Sequence, residues 1–149
     1  MEPSTIHASA VLVGAKAILI RGPSGSGKSR LAWNLVQAAA RGDLPFARLV
    51  ADDRAYVEAH GSRLLVRPAP ALAGLIEVHG LGIRQLAYEP MAAIGWVIDL
   101  AAPDGARMPG KEARETTVLG VAVPHLSVAP GMAALPLVLA SLRTTAAVD

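Results

Sequence analysis

The stretch Gly22-Pro-Ser-Gly-Ser-Gly-Lys-Ser29 constrains this chain most. It follows the apolar run Ala17–Ile20 and precedes a segment in which Leu31, Ala32, Leu35, Val36 and Ala39 recur at helical spacing. A strand, a glycine-rich turn and a helix opening on Lys-Ser form the G-x-x-x-x-G-K-[ST] phosphate loop. Glycines let successive backbone N–H groups converge on phosphate oxygens, and the start of a helix favours an anion. Gly22, Pro23, Ser24, Gly25, Ser26, Gly27, Lys28 and Ser29 are therefore the expected phosphate holders. Lys28 is expected to reach the β- and γ-phosphates and the Ser29 hydroxyl to ligate Mg²⁺. The ligand this motif predicts is a nucleoside triphosphate with Mg²⁺.

The rest of the chain narrows the fold. The chain has 149 residues, 52% of them hydrophobic and 17% charged, enough for one packed domain and too few for two. A single P-loop domain over residues 1–149 is the expectation. Short strands are read at Val11–Val13 and Ala17–Ile20, at Ala47–Ala51, and at Ala55–His60 with Arg63–Arg67. Others are read at Glu77–Ile83, broken by Gly80 and Gly82, which suggest a bulge or a close backbone approach, and at Ala93–Leu100, Val118–Val123 and Leu126–Val128. Helices are expected at Ser29–Ala40, stopped by Gly42, and at Pro136–Arg143, with a loop over 103–116. So many strands and so few helices predict an α/β fold with a mixed, strand-rich sheet rather than regular βαβ alternation.

Composition excludes several functions. Five aromatic residues and a formal charge of +2, with no block of Lys or Arg, argue against nucleic acid as a partner. With no cysteine there is neither a disulfide nor a thiolate metal site. His60, His79 and His125 lack metal-ligand spacing. No apolar run is long enough to span a membrane and the first residues do not resemble a leader, so a cytoplasmic location is expected.

Two further stretches carry candidate chemistry. "LVADD" ends an apolar strand on Asp52 and Asp53. Strand side chains alternate faces, so one aspartate is expected to point into the site and the other to support it, although a plain turn pair reads equally well. In "LIEVHGLGIRQL", Glu77 lies between Ile76 and Val78 and faces away from both. A glutamate in an apolar strand needs a ligand, a partner or solvent. His7, before the first apolar stretch, reads on its own as a surface residue.

Taken together and in this order, Ile6–Ser29, Leu49–Val57 and Leu75–Leu86 resemble the HPr kinase/phosphorylase catalytic domain, and Gly120–Gly131 does so more weakly. The resemblance implies a P-loop kinase core like that of phosphoenolpyruvate carboxykinases. It also implies ATP and Mg²⁺ as cofactors, a serine of the phosphocarrier HPr as substrate, regulation of carbohydrate metabolism through the phosphotransferase system, and a homo-oligomer, a hexamer. In reverse, inorganic phosphate attacks phosphoserine and gives pyrophosphate. Carried across, Asp53 becomes the acid–base group at the substrate serine, with Asp52 supporting it and His7 assisting. Ser29, Asp53 and Glu77 become metal positions, and Arg107 a loop arginine serving the phosphoryl group, with Arg114 as its rival. Three departures stand out. His79 replaces an arginine, "LSVAPGMAALP" lacks the cations of the family pattern, and the N-terminal domain of longer members is not expected. The forward kinase is thus better supported than phosphorolysis. Two other readings share the scaffold: a kinase for another protein or a small molecule, and an ATP-binding module without turnover.

Overall fold

A computed structural model describes residues 5–103, 114–145 and 147. Nine of its strands form one sheet. Its centre is β9 (Ala92–Asp99), which pairs in parallel with β3 (Lys16–Arg21) along one edge. On the other edge β9 is shared: its first residues pair antiparallel with β6 (Arg63–Pro68), its last in parallel with β11 (Val121–Ser127). Beyond β3 come β2 (Ala8–Val13) and β4 (Ala47–Ala51). Beyond β6 come β5 (Ala55–His60) and β1 (Thr5–Ile6). A short β10 (Glu115–Val118) pairs with β11. The strand-rich mixed sheet expected from the sequence is the observed one.

The alternation of β3 divides the core. Ala17 and Leu19 pack with β5, β6 and the apolar side of β2, while Ile18 and Ile20 pack beneath the helices. On that second face lies α1 (Lys28–Ala40), which buries Leu31, Ala32, Leu35 and Ala38. Those positions recur at three and four residues, so one stripe meets the sheet. The helix ends as Gly42 implies. Gly42, at φ +87°, donates to Ala39 and Asp43 donates to Ala38, so the last carbonyls are satisfied within a left-handed cap. A second helix, α2 (Ala134–Arg143), packs on α1 and buries Val138.

Two stretches differ from expectation. The strand read at Glu77–Ile83 is a two-stranded hairpin, β7 (Leu75–Val78) and β8 (Gly82–Gln85). Gly80 at φ +85° turns the chain, and the Leu81 N–H donates to the Val78 carbonyl at 2.9 Å, so the two glycines reverse the strand rather than bulge it. Near the end, the expected strands at Val118–Val123 and Leu126–Val128 are displaced. The turn falls at Leu119 and Gly120, both left-handed at φ 48° and 80°, as a two-residue hairpin requires. Pro124 does not end β11. It pairs with Glu115 of β10, and pairing to β9 begins at His125. The proline, which has no N–H, thus sits where the strand exchanges partners.

Candidate functional site

The phosphate loop joins β3 to α1. Gly27, left-handed at φ 100°, occupies the helix N-cap without a capping side chain, leaving the first N–H groups of α1 directed at the loop. Gly22 must be glycine for space. A Cβ there would meet Ser26 Oγ at 2.5 Å and the Leu100 carbonyl at 3.2 Å. Ser26 Oγ is itself buried with no hydrogen-bond partner among the described residues. Lys28 is almost fully buried and folds back, its Nζ donating to the carbonyls of Gly22 at 2.9 Å and Pro23 at 3.3 Å. A cation whose partners among the described residues are neutral carbonyls, at the start of a helix, is arranged for an anion.

Behind the loop, Asp52 is 6% exposed and tied to three elements. Ser29 Oγ donates to its two oxygens at 2.7 and 2.9 Å, Ser9 Oγ donates at 2.7 Å, and the Glu77 backbone N–H donates at 3.1 Å. This one carboxylate binds the start of α1, strand β2 and the β7–β8 hairpin together. Ser9 also accepts from the Asp53 N–H at 3.1 Å. Asp53 itself is held at φ 65°, a region aspartate tolerates better than most residues, and this turns its side chain outward. His7 Nδ1 lies 4.0 Å from Asp53 Oδ1, both side chains being about two-thirds exposed.

A cleft of about 600 Å³ runs along this assembly. Ser24, Gly25, Gly27, Lys28 and Ser29 form one wall, and Asp53, Glu77, Val78 and His79 the other. Arg30 and Trp33 from the first turns of α1 complete it. Glu77 is exposed on its short strand and faces this cleft while Ile76 is buried in the core, so its place among apolar neighbours has a plain reason. The structure therefore gathers Lys28, Ser29, Asp53 and Glu77 around one space. It sets Asp52, not Asp53, against the Ser29 hydroxyl. Arg107 lies outside the described residues, and Arg114 stands immediately before β10.

Among the described residues no three carboxylates or imidazoles gather into a protein-only metal cage. Mg²⁺ is commonly held otherwise, by one or two carboxylates completed by phosphate oxygens and water. The Ser29 hydroxyl, Asp52 behind it, and Asp53 and Glu77 on the cleft wall are a donor set of that kind.

A second polar cluster ties β3, β9 and β11 together. Arg21, the last residue of β3, forms a two-pronged pair with Asp99 of β9 at 2.8 and 2.8 Å, and His125 Nε2 meets the same carboxylate at 2.7 Å. Burial pushes the Asp99 carboxyl up. The hydrogen bonds from Arg21 and His125, with their charges, outweigh it and hold the group below the ordinary aspartate value. Sequence reading missed this cluster, and also missed Ser9, Arg30 and Trp33. Ser9 carried a signal, a lone hydroxyl in the apolar β2. Arg21 and Asp99 carried none, because their pairing depends on the β3–β9 register.

Over residues 1–145 the chain matches the family model described as the HPr serine kinase C-terminal domain. The chain belongs to that family. It is 35% identical over 136 residues to HPr kinase/phosphorylase of Limosilactobacillus reuteri, covering 83% of this chain and 40% of that protein. To HPr kinase/phosphorylase of Geobacillus thermodenitrificans it is 34% identical over 140 residues, covering 86% of this chain and 43% of that protein. The HPr kinase-type chain thus spans about two fifths of the length of these relatives. Among solved structures, the Hpr(Ser) kinase/phosphatase of Coxiella burnetii superposes with a TM-score of 0.70 at 26% identity, over 93% of this chain and 88% of that one. The family fold seen there is the strand-rich sheet with few helices described above. No helix among the described residues is long and apolar enough to cross a membrane.

Proposed function

We propose that this chain is an ATP-dependent serine kinase whose substrate is the phosphocarrier HPr. The observation that carries the reading is that Lys28, Ser29, Asp53 and Glu77 line one cleft. Phosphoryl transfer asks chiefly for positioning and charge neutralisation, and a phosphate loop facing two acids offers both. The family membership adds the substrate, since the relatives it matches are named for HPr.

In this reading the free N–H groups of the loop, those of Gly25, Gly27, Lys28 and Ser29, cradle the triphosphate, and Lys28 exchanges the Gly22 and Pro23 carbonyls for phosphate oxygens. Ser29 and Asp52, with Asp53 and Glu77 opposite, would hold Mg²⁺, which when bound neutralises charge on the phosphate oxygens. The incoming serine approaches from the Asp53 side. Its Oγ forms a bond to the γ-phosphorus as the bond from that phosphorus to the bridging β–γ oxygen breaks, releasing ADP. Asp53 takes the hydroxyl proton as the new bond forms, and His7, beside it, steadies the carboxyl group. Burial of Asp52 beneath three donors suits support of the metal side better than proton transfer.

The test is transfer of labelled phosphate from MgATP to HPr by the purified chain and by Asp53→Asn. Phosphoserine on HPr with the unaltered chain, and a rate lower by about 100-fold or more with Asp53→Asn, are the expected results. An unaltered rate in the variant would refute the role of Asp53. No transfer by the unaltered chain would refute the kinase reading.

A further inference from the structure

The two parallel strands at the centre of the sheet begin at a small pocket of about 110 Å³. The phosphate loop follows the other end of β3, so the length of that strand, roughly 20 Å at about 3.3 Å per residue, separates the two. The pocket exists because β9 changes partners. Its pairing with β6 stops at Ala93, and its pairing with β11 starts at Val97. Arg63, on the β6 side, and Val123, on the β11 side, flank the fork left between them.

On the opposite edge of β9 the pairing with β3 also slips. Ala17 faces Ile94 but Ile18 faces Trp96, so Gly95 is an extra residue. Space requires glycine there. A Cβ would lie 2.6 Å from Lys16 Cβ and 3.0 Å from Lys16 Cγ. The stem of Lys16 thus rests against bare β9 backbone at the pocket wall.

The polar side chains of the pocket are donors without acceptors. Lys16 comes from the start of β3, and Ser62 and Arg63 come from the turn into β6. None of the three has an ion pair or a side-chain hydrogen bond to any described residue. Elsewhere on the sheet arginines are matched to acids, Arg21 to Asp99, Arg48 to Glu89 and Arg67 to Glu58. Among the described residues no acid lines this pocket. Glu115, opposite Pro124 in the β10–β11 pairing, is not part of its wall.

We propose that this pocket binds a phosphate group, either the free ion or the end of a small monoester. Two cations and a hydroxyl, brought from two turns, offer donors from different directions, as a tetrahedral oxyanion requires. The volume is well below the roughly 300–1,000 Å³ of pockets that enclose a whole small molecule, so the body of an ester stays in solvent. The site is independent of the kinase reading, because it shares no residue with the cleft.

Residue-resolved NMR titration of the full chain with inorganic phosphate, glycerol phosphate and acetate tests this, at constant ionic strength and about pH 7.5. At least one of the two phosphate compounds should shift the amide signals of Arg63 and Gly95, with a dissociation constant of about 1 mM or lower. The tighter of the two identifies whether the site takes the free ion or the ester. Acetate should bind about tenfold more weakly. Lys16→Gln and Arg63→Gln, both at exposed positions, should each weaken the response by about fivefold or more. Any response of Gly25 and Gly27 in the loop should stay within about twofold in these variants. No shift at Arg63 and Gly95 with either phosphate compound overturns the site, as does a response that both variants leave intact or that acetate matches. Shifts confined to the loop overturn it too, and leave the kinase reading untouched.

Discussion

Removing the Asp52 carboxylate should separate the knot that holds the site from the chemistry performed there. Asp52 accepts from three donors, two of which have little recourse to water: Ser9 is fully buried, and the Glu77 N–H belongs to the strand beneath the cleft. In Asp52→Ala all three donors lose their acceptor. A buried donor left unsatisfied costs roughly 1–3 kcal/mol. Ser29, half-buried, can turn toward solvent, so the other two donors sum to about 2–6 kcal/mol, a large part of the 5–15 kcal/mol typical of a domain. Asp52→Asn should cost less, about 1–2 kcal/mol. Its carbonyl oxygen can keep the Glu77 N–H while its amide group faces the two serine hydroxyls, which rotate. Ser9 already accepts from Asp53, however, so its own proton then lacks a partner. Urea denaturation of the three proteins reads these differences directly. An Asp52→Ala variant within about 0.5 kcal/mol of the unaltered chain would refute the claim that this carboxylate ties helix, sheet and hairpin together. Equal losses for Ala and Asn would refute the hydrogen-bond account of it. Asp53→Asn is the contrast. Its side chain is exposed and asparagine accepts φ 65°, so stability should change by no more than about 0.5 kcal/mol.

Three other outcomes are expected. Leu35→Ala, at a fully buried position of α1 above the sheet, should lower stability by about 2–5 kcal/mol in the same denaturation assay. Gly22→Ala should weaken tripolyphosphate binding by at least about tenfold while the chain stays folded by circular dichroism, because its Cβ collides with Ser26 and the Leu100 carbonyl. The third concerns acid stability. The Asp99 carboxyl titrates lower folded than unfolded, so its stabilisation is complete above the ordinary value of 3.8 and is lost as pH falls through the lower folded value. Arg21→Met should therefore be less stable than the unaltered chain near neutral pH, by roughly 1–3 kcal/mol, with the gap narrowing below about pH 4. A gap that widens in acid would contradict the sign of that linkage.

What could be read in the sequence was encoded within a few residues. The glycines and Lys-Ser of the phosphate loop, the apolar stripe of α1, its Gly42 stop and the limits of β4 and β5 all follow from local backbone preference and periodicity. Where glycines allow two outcomes, local reading failed. Gly80 and Gly82 are compatible with a bulge or a reversal, and packing of Ile76 beneath α1 selected the reversal. The strand expected to end at Val123 runs on through Pro124, because a strand that changes partners at that residue needs no N–H there.

The residues alone establish that a phosphate loop opens α1, because a tight turn and a helix start require particular residues at fixed offsets. Where each acid stands is set by the folded sheet. Asp52 and Asp53 are neighbours in the chain. The irregular register between β2 and β4 and the left-handed backbone at Asp53 send one beneath Ser29 and the other into the cleft. The Arg21–Asp99–His125 cluster and the pocket at the start of β3 and β9 likewise arise where strands distant in sequence lie side by side. Such neighbours are set by burying both faces of the sheet at once, a condition no short stretch of residues expresses.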